Sequence, residues 1–421
     1  MPIPSTPSIG RRHLLALGGV GAAWLTPIGQ LLAREAEATR APARSLILLW
    51  LGGGPSQLET FDPHPDTRIA AGTGAIRTAA SGIRLAPGLE RLAERMGDVA
   101  LIRSMVSKEG DHERGTYLLK TGYRPDTTVE HPSIGAICCH ELPPGPVDIP
   151  RHISILAGQW PARGGFLGAE HDAFQVGDPR DRLRDVASWA PADRDAARVR
   201  DLDVVERSFA RGRSARVDAT GHRDALARAR RMMSSDQLRA FDVASEPASV
   251  RAEYGDTPFG RGCLAARRLI EAGVRCVEVT LDGWDSHVNN HQIHRNLLAQ
   301  LDPAYAALLA DLKRRDLLGR TVVLCGGEFG RTPRVNLAGG RDHWPGGFSL
   351  ALAGGGFRGG FALGETDPEG IKAPARPTSV EDVHATILSA LGLDPSRENI
   401  APATSRPIKL SAGRPIPDLL T

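Results

Sequence analysis

The stretch TVVLCGGEFGRTPRVNLAGGRDHWP, Thr321 to Pro345, decides the fold. Its first five residues are apolar or β-branched, the pattern of a fully buried strand. Two glycines end that strand. Glu328, Arg331, Arg334, Asp342 and His343 follow on backbone rich in Gly and Pro. Polar groups gathered just past the carboxyl end of a buried strand mark where open α/β sheets build their sites. Two readings of this cluster stay open. It is an Arg–carboxylate lattice tying down a long loop, or it is an oxyanion or metal site.

The same grammar recurs along the chain. Ser45 to Leu51 is another buried strand and runs into GGGPSQLETFDP, a Gly-rich loop without the Gly-Lys-Ser/Thr of a phosphate-binding loop. Ser56 in that loop reads as a helix cap before it reads as a nucleophile. Residues 85–102 alternate a short helix with a strand, one unit of a parallel sheet. Asp111, His112, Glu113 and Arg114 follow that strand, and HPSIGAICCHEL reads as a helix.

From Asp178 to Pro247 the texture changes to Arg, Ala and Asp, with apolar residues at three- and four-residue steps. That predicts amphipathic helices inserted into the main domain, residues 178–247. The α/β pattern then resumes. A strand over Val274–Leu281 delivers Asp282, Asp285, His287 and His291 past its end. Asp and His are good zinc or manganese ligands, and the Asp285-Ser-His287 spacing lets both side chains turn to one ion. The competing reading makes Asp285 the cap of a helix carrying His291 and His294. A second helix is expected over Leu298–Leu318. Near the end, Ser379 caps a final helix, which makes Asp382 and His384 structural.

A net charge of +3, with 41% hydrophobic and 24% charged residues, describes a globular chain and gives no sign of nucleic acid as partner. Cys138, Cys139, Cys263, Cys276 and Cys325 form neither a metal-binding spacing nor a disulfide framework. Residues 1–40 read as a twin-arginine signal. Arg11-Arg12 precede a Gly-interrupted apolar segment, and Ala36-Glu-Ala38 offers a cleavage site. The expectation is a periplasmic or extracellular protein, passed through the twin-arginine export machinery, without a permanent membrane anchor.

With these residues in view, the chain resembles the alkaline phosphatase and sulfatase superfamily. LAPGLERLAERMGDV is similar to that group's early "TPNLDRLA" helix and strand. LLKTGYRP is similar to the sulfatase "LLTGRYP", and SVEDVHATILSALGLDP to its late helix. More closely, GGPSQLETFDP, GWDSH, GGEFGRTPR and GRDHWP resemble the exported family catalogued as domain of unknown function 1501. The resemblance implies an alkaline-phosphatase-like α/β domain over residues 44–421, a mostly parallel central sheet flanked by helices on both faces, with the helical insertion. It also implies a divalent ion (zinc, manganese or calcium) held by Asp285, His287, Glu328 and His343. His112, which counts to the sulfatase nucleophile position, then faces the ion as ligand, base or nucleophile, and Arg331 stabilises an oxyanion.

Two departures stand out. The first strand ends in Trp50-Leu51-Gly52 rather than in metal-binding aspartates. The superfamily's Asp-His-Gly appears as Glu328-Phe329-Gly330. Two functions follow as expectations: a metal-dependent hydrolase of small-molecule or glycan phosphate or sulfate esters, or an exported binding protein that kept the fold and lost the site.

Overall fold

The computed structural model describes residues 42–213 and 221–421. The expected export signal lies outside the described residues, as do 214–220 of the expected insertion. The strands and helices that position the site are β1 (Ser45–Gly52), β2 (Val99–Val106), α1 (His112–Thr121), α2 (Ile134–Glu141), β3 (His152–Ile155), β4 (Phe174–Val176), α3 (Ala192–Ala210), α4 (His222–Ser234), α5 (Pro258–Glu271), β5 (Cys276–Asp282), α6 (Asn290–Arg314), β6 (Thr321–Gly326), β7 (Phe348–Gly354), β8 (Phe361–Leu363) and α7 (Val380–Ala390).

Among the described residues the main sheet has nine strands, in the order β8-β2-β7-β6-β1-β5-β3-β4, with Thr378–Ser379 added beside β2. Every pairing is parallel except the two made by β7. β1 lies in the middle and all eight of its residues are buried, which is why it reads as an unbroken apolar run. Alternate side chains serve opposite layers. Ile47, Leu49 and Leu51 pack with α5 and α6. Leu46, Leu48 and Trp50 pack with α1, α2 and α7. The α/β fold with a mostly parallel sheet and helices on both faces is therefore present.

Several local expectations need correction. The two helices expected around His291 and over Leu298–Leu318 are one 25-residue helix, α6, which passes through Pro303. Proline removes one backbone hydrogen bond, and the buried stripe of Leu301, Tyr305, Leu308 and Leu312 holds the axis across that gap. Ser56 caps no helix. Its N–H donates to His294 Nε2 at 2.9 Å, and its own hydroxyl is buried without a partner among the described residues. Asp285 is no cap either, because Asn289 stands at the start of α6. Ser379 does cap α7, accepting from Asp382 N at 3.1 Å. His384 is fully buried and donates to Leu119 O. Among the described residues no helix is long and apolar enough to cross a membrane.

Candidate metal centre

The site forms at the carboxyl ends of β1, β2, β5 and β6, where a parallel sheet leaves its loops free to converge. β2 leads through Gly110 into α1, whose first residue is His112. β5 ends at Asp282 and is followed by Asp285 and His287. β6 is followed by Glu328. A two-stranded antiparallel ribbon, Gly330–Arg331 with Trp344–His343, then folds His343 back beside Arg331.

Three imidazoles and one carboxylate meet there. One ligand atom each from His112, Asp285 and His343 lie within 4.8 Å of one another. Asp285 Oδ1 stands 3.1 Å from His287 Nε2 and 3.4 Å from His343 Nε2. Asp285 Oδ2 stands 3.4 Å from His112 Nε2. A tetrahedral zinc ion with bonds near 2.0–2.1 Å sets its ligand atoms about 3.3 Å apart, close to the separations of Asp285 from His112 and from His343. His287, expected as a fourth ligand, touches Asp285 and His343 but stands outside the group of three.

The other nitrogen of each ring is tied to oxygen. His112 Nδ1 is 2.7 Å from Glu328 Oε1, His287 Nδ1 is 2.8 Å from Asp342 Oδ1, and His343 Nδ1 is 2.8 Å from Gly110 O. A carbonyl only accepts, so His343 carries its proton on Nδ1 and turns a bare Nε2 inward. That atom is 3.0 Å from His287 Nε2. The bare His343 Nε2 and the Asp285 carboxylate face each other at 3.4 Å, an arrangement that positive charge between them, from an ion or from a proton, relieves. Outer oxygen partners that fix the tautomer are the usual support of metal-bound histidine.

The electrostatics differ from ring to ring. The hydrogen bond that His112 donates to Glu328 raises the His112 pKa, outweighing burial, and favours the protonated ring, so an ion has to displace that proton. Burial lowers the pKa of His343, which favours the neutral, ligating form. Burial pushes the Asp285 carboxyl up, but Arg331 and the neighbouring histidines outweigh it and hold it below the ordinary range.

Two predicted residues take other places. Glu328 is 2% exposed and accepts from Gly53 N at 3.0 Å as well as binding His112, so it orients His112 from behind rather than joining the inner group. Arg331 was expected to face an oxyanion. Its guanidinium is wholly buried, with donors engaged by Gly53 O, Gly54 O, Arg341 O and Asp285 Oδ1. A fork committed in this way positions the Asp285 carboxylate and is not open to substrate. The glycines of the first loop make the approach possible. Gly53 has φ +110°, and a Cβ there would stand 2.5 Å from Asp285 N.

The lattice reading of the same loop is realised alongside. Arg341, passed over in the sequence, is wholly buried and donates to Glu59 Oε1 at 2.8 Å and to the carbonyls of Ile69, Thr332 and Pro333. Arg334 is exposed. Sequence reasoning also missed Thr116 and Lys120. Their signal was available as a four-residue step from His112.

Comparison with solved structures gives low-identity likenesses. A sulfatase from Pseudoalteromonas sp. is 14% identical, covering 87% of this chain and 70% of its own, with a TM-score of 0.39. The lipoteichoic acid synthase LtaP from Listeria monocytogenes is 11% identical, with coverages of 84% and 73% and a TM-score of 0.37. An alkaline phosphatase from the Antarctic bacterium TAB5 is 12% identical, with coverages of 84% and 99% and a TM-score of 0.35. No curated protein matches the chain. A family model does match, from residue 43 to residue 420, so the chain belongs to the family described as "Protein of unknown function (DUF1501)".

Proposed function

We propose that this protein is an exported metal-dependent hydrolase of phosphate or sulfate esters, with one divalent ion held by His112, Asp285 and His343 and His287 packed beside them. One observation carries the reading. The His112 and His343 rings and the Asp285 carboxylate bring ligand atoms within 4.8 Å of one another, while the Nδ1 of each ring is bound to an oxygen acceptor. The donor set of two nitrogens and one oxygen fits zinc and leaves a fourth position open.

A divalent ion bound there supplies Lewis acidity toward the ester and lowers the pKa of a coordinated water. The chain's own residues do the rest. Glu328, Asp342 and Gly110 O hold the rings in register. Arg331 holds Asp285 while keeping out of the substrate space. The cavity of about 250 Å³ beside the centre, bordered by His112, Asp282, Asp285 and Glu328, receives the ester.

The test is elemental analysis of the mature protein purified without chelator, beside H287A/H343A, followed by a screen of phosphate and sulfate esters. The expected result is about one equivalent of metal in the native protein and none in the variant, with hydrolysis that follows the metal. A well-folded native protein with no metal overturns the reading and leaves a binding protein on an enzyme fold.

A further inference from the structure

The cavity beside the centre is walled by one face of α1. His112, Thr116 and Lys120 recur every four residues and so project on the same side of the helix. The first belongs to the centre; the other two have no part in it. Thr116 is 2% exposed, and its hydroxyl has no hydrogen-bond partner among the described residues. A buried hydroxyl left unpaired costs free energy, and this one borders the cavity.

Lys120 is 5% exposed. Its Nζ donates to Trp160 O at 2.8 Å and to Glu278 Oε1 at 2.9 Å. It also lies 4.9 Å from the centre of the Trp50 ring. An ammonium has three N–H groups, so one is not taken up by these two oxygens. Because Arg331 is sealed behind Asp285, Lys120 is the lysine or arginine that lines this cavity.

Gln159 and Trp160 also border a second cavity of about 340 Å³, walled by Tyr117, Glu130, His131 and Arg163. Thr116 and Lys120 line both.

We propose that Thr116 and Lys120 form an oxyanion subsite: a tetrahedral phosphate or sulfate group sits between them and the metal centre, and the ester's alcohol portion extends under Trp160 into the larger cavity. This rests on the metal reading. Asp282, Asp285 and Glu328 border the same cavity, so an anion enters only when a divalent ion offsets their charge. Donors fixed in a low-dielectric wall then select a tetrahedral anion.

The experiment is calorimetric titration of inorganic phosphate, and separately sulfate, into zinc-loaded protein, with zinc stoichiometry measured on the same samples. Trp50 and Trp160 border the cavity, so their fluorescence gives a second readout. T116V keeps the shape and removes the hydroxyl. K120M/E278Q removes the lysine without stranding a buried carboxylate, and E278Q alone controls for the second change.

Phosphate should bind at least fivefold more weakly to T116V and at least tenfold more weakly to K120M/E278Q. K120M/E278Q should also bind phosphate more weakly than E278Q, which keeps the lysine, and all should bind zinc as the native chain does. Native phosphate affinity in T116V and K120M/E278Q with zinc in place overturns the subsite and leaves the metal centre standing. Absence of zinc from the native protein overturns the metal reading and the subsite with it.

Discussion

Arg331 buries a guanidinium completely and still finds acceptors for it, three of them backbone carbonyls. Lysine has the charge without the planar fork. R331K should therefore fold but leave Asp285 loosely held, lowering zinc affinity about 10- to 100-fold, as measured by competition with a chromophoric chelator. Two other buried side chains set the response to acid. His294 donates from Nδ1 to Asn290 O and accepts Ser56 N–H on Nε2, an arrangement that requires the neutral ring. Burial lowers its pKa to about 4, and burial does the same to His384. The unfolded chain takes up these protons from about pH 6.5 downward. Protons thus favour the unfolded state between those limits, and stability present above pH 6.5 is lost as the pH falls toward 4. The loss is about 3 kcal/mol for each histidine. Urea unfolding of H384Q across that range should show roughly half of this two-histidine loss.

At the scale of elements, local patterns were legible wherever the chain's own chemistry decides them. The buried strands, the Ser379 cap and the gathering of polar residues at strand ends follow from residue types alone. S379A should destabilise the protein by about 1 kcal/mol and S379D by much less, read from thermal melts. What a segment does across space was not legible. Helix α6 ignores Pro303 because a buried leucine face decides its course. Ser56 lacks its expected helix because the loop turns to meet His294. The roles within the site changed for the same reason. Sequence spacing put Glu328 and Arg331 beside their partners, but only packing shows that both approach from behind, one through His112 and one through Asp285. Thr116 shares a helix face with His112 by its four-residue step, but that step acquires meaning only once the cavity beside the face is known.

At the scale of the whole molecule, the sheet order explains why one centre draws on such distant sequence. Central β1 pairs with β5 and β6, so the loops that follow them come together over its glycines, and β2 brings α1 from the far side of β7. Three carboxylates, Asp282, Asp285 and Glu328, border the cavity there, with Arg331 paired to Asp285. On the proposed reading, stripping the ion with a chelator should lower the melting temperature, and zinc at a hundredfold excess over its dissociation constant should restore about 2.7 kcal/mol. Differential scanning calorimetry with and without chelator checks this.

The convergence of α1, the β5 loop and the Gly330–Arg331 ribbon has one more implication. An unfolded or half-folded chain offers Asp285 and His287 close together but keeps His112 and His343 far from both. It can hold an ion only loosely, whereas the finished sheet brings His112, Asp285 and His343 around it from three separate segments. Tight metal retention would then certify that folding is complete, and a chain that had lost its way would remain empty.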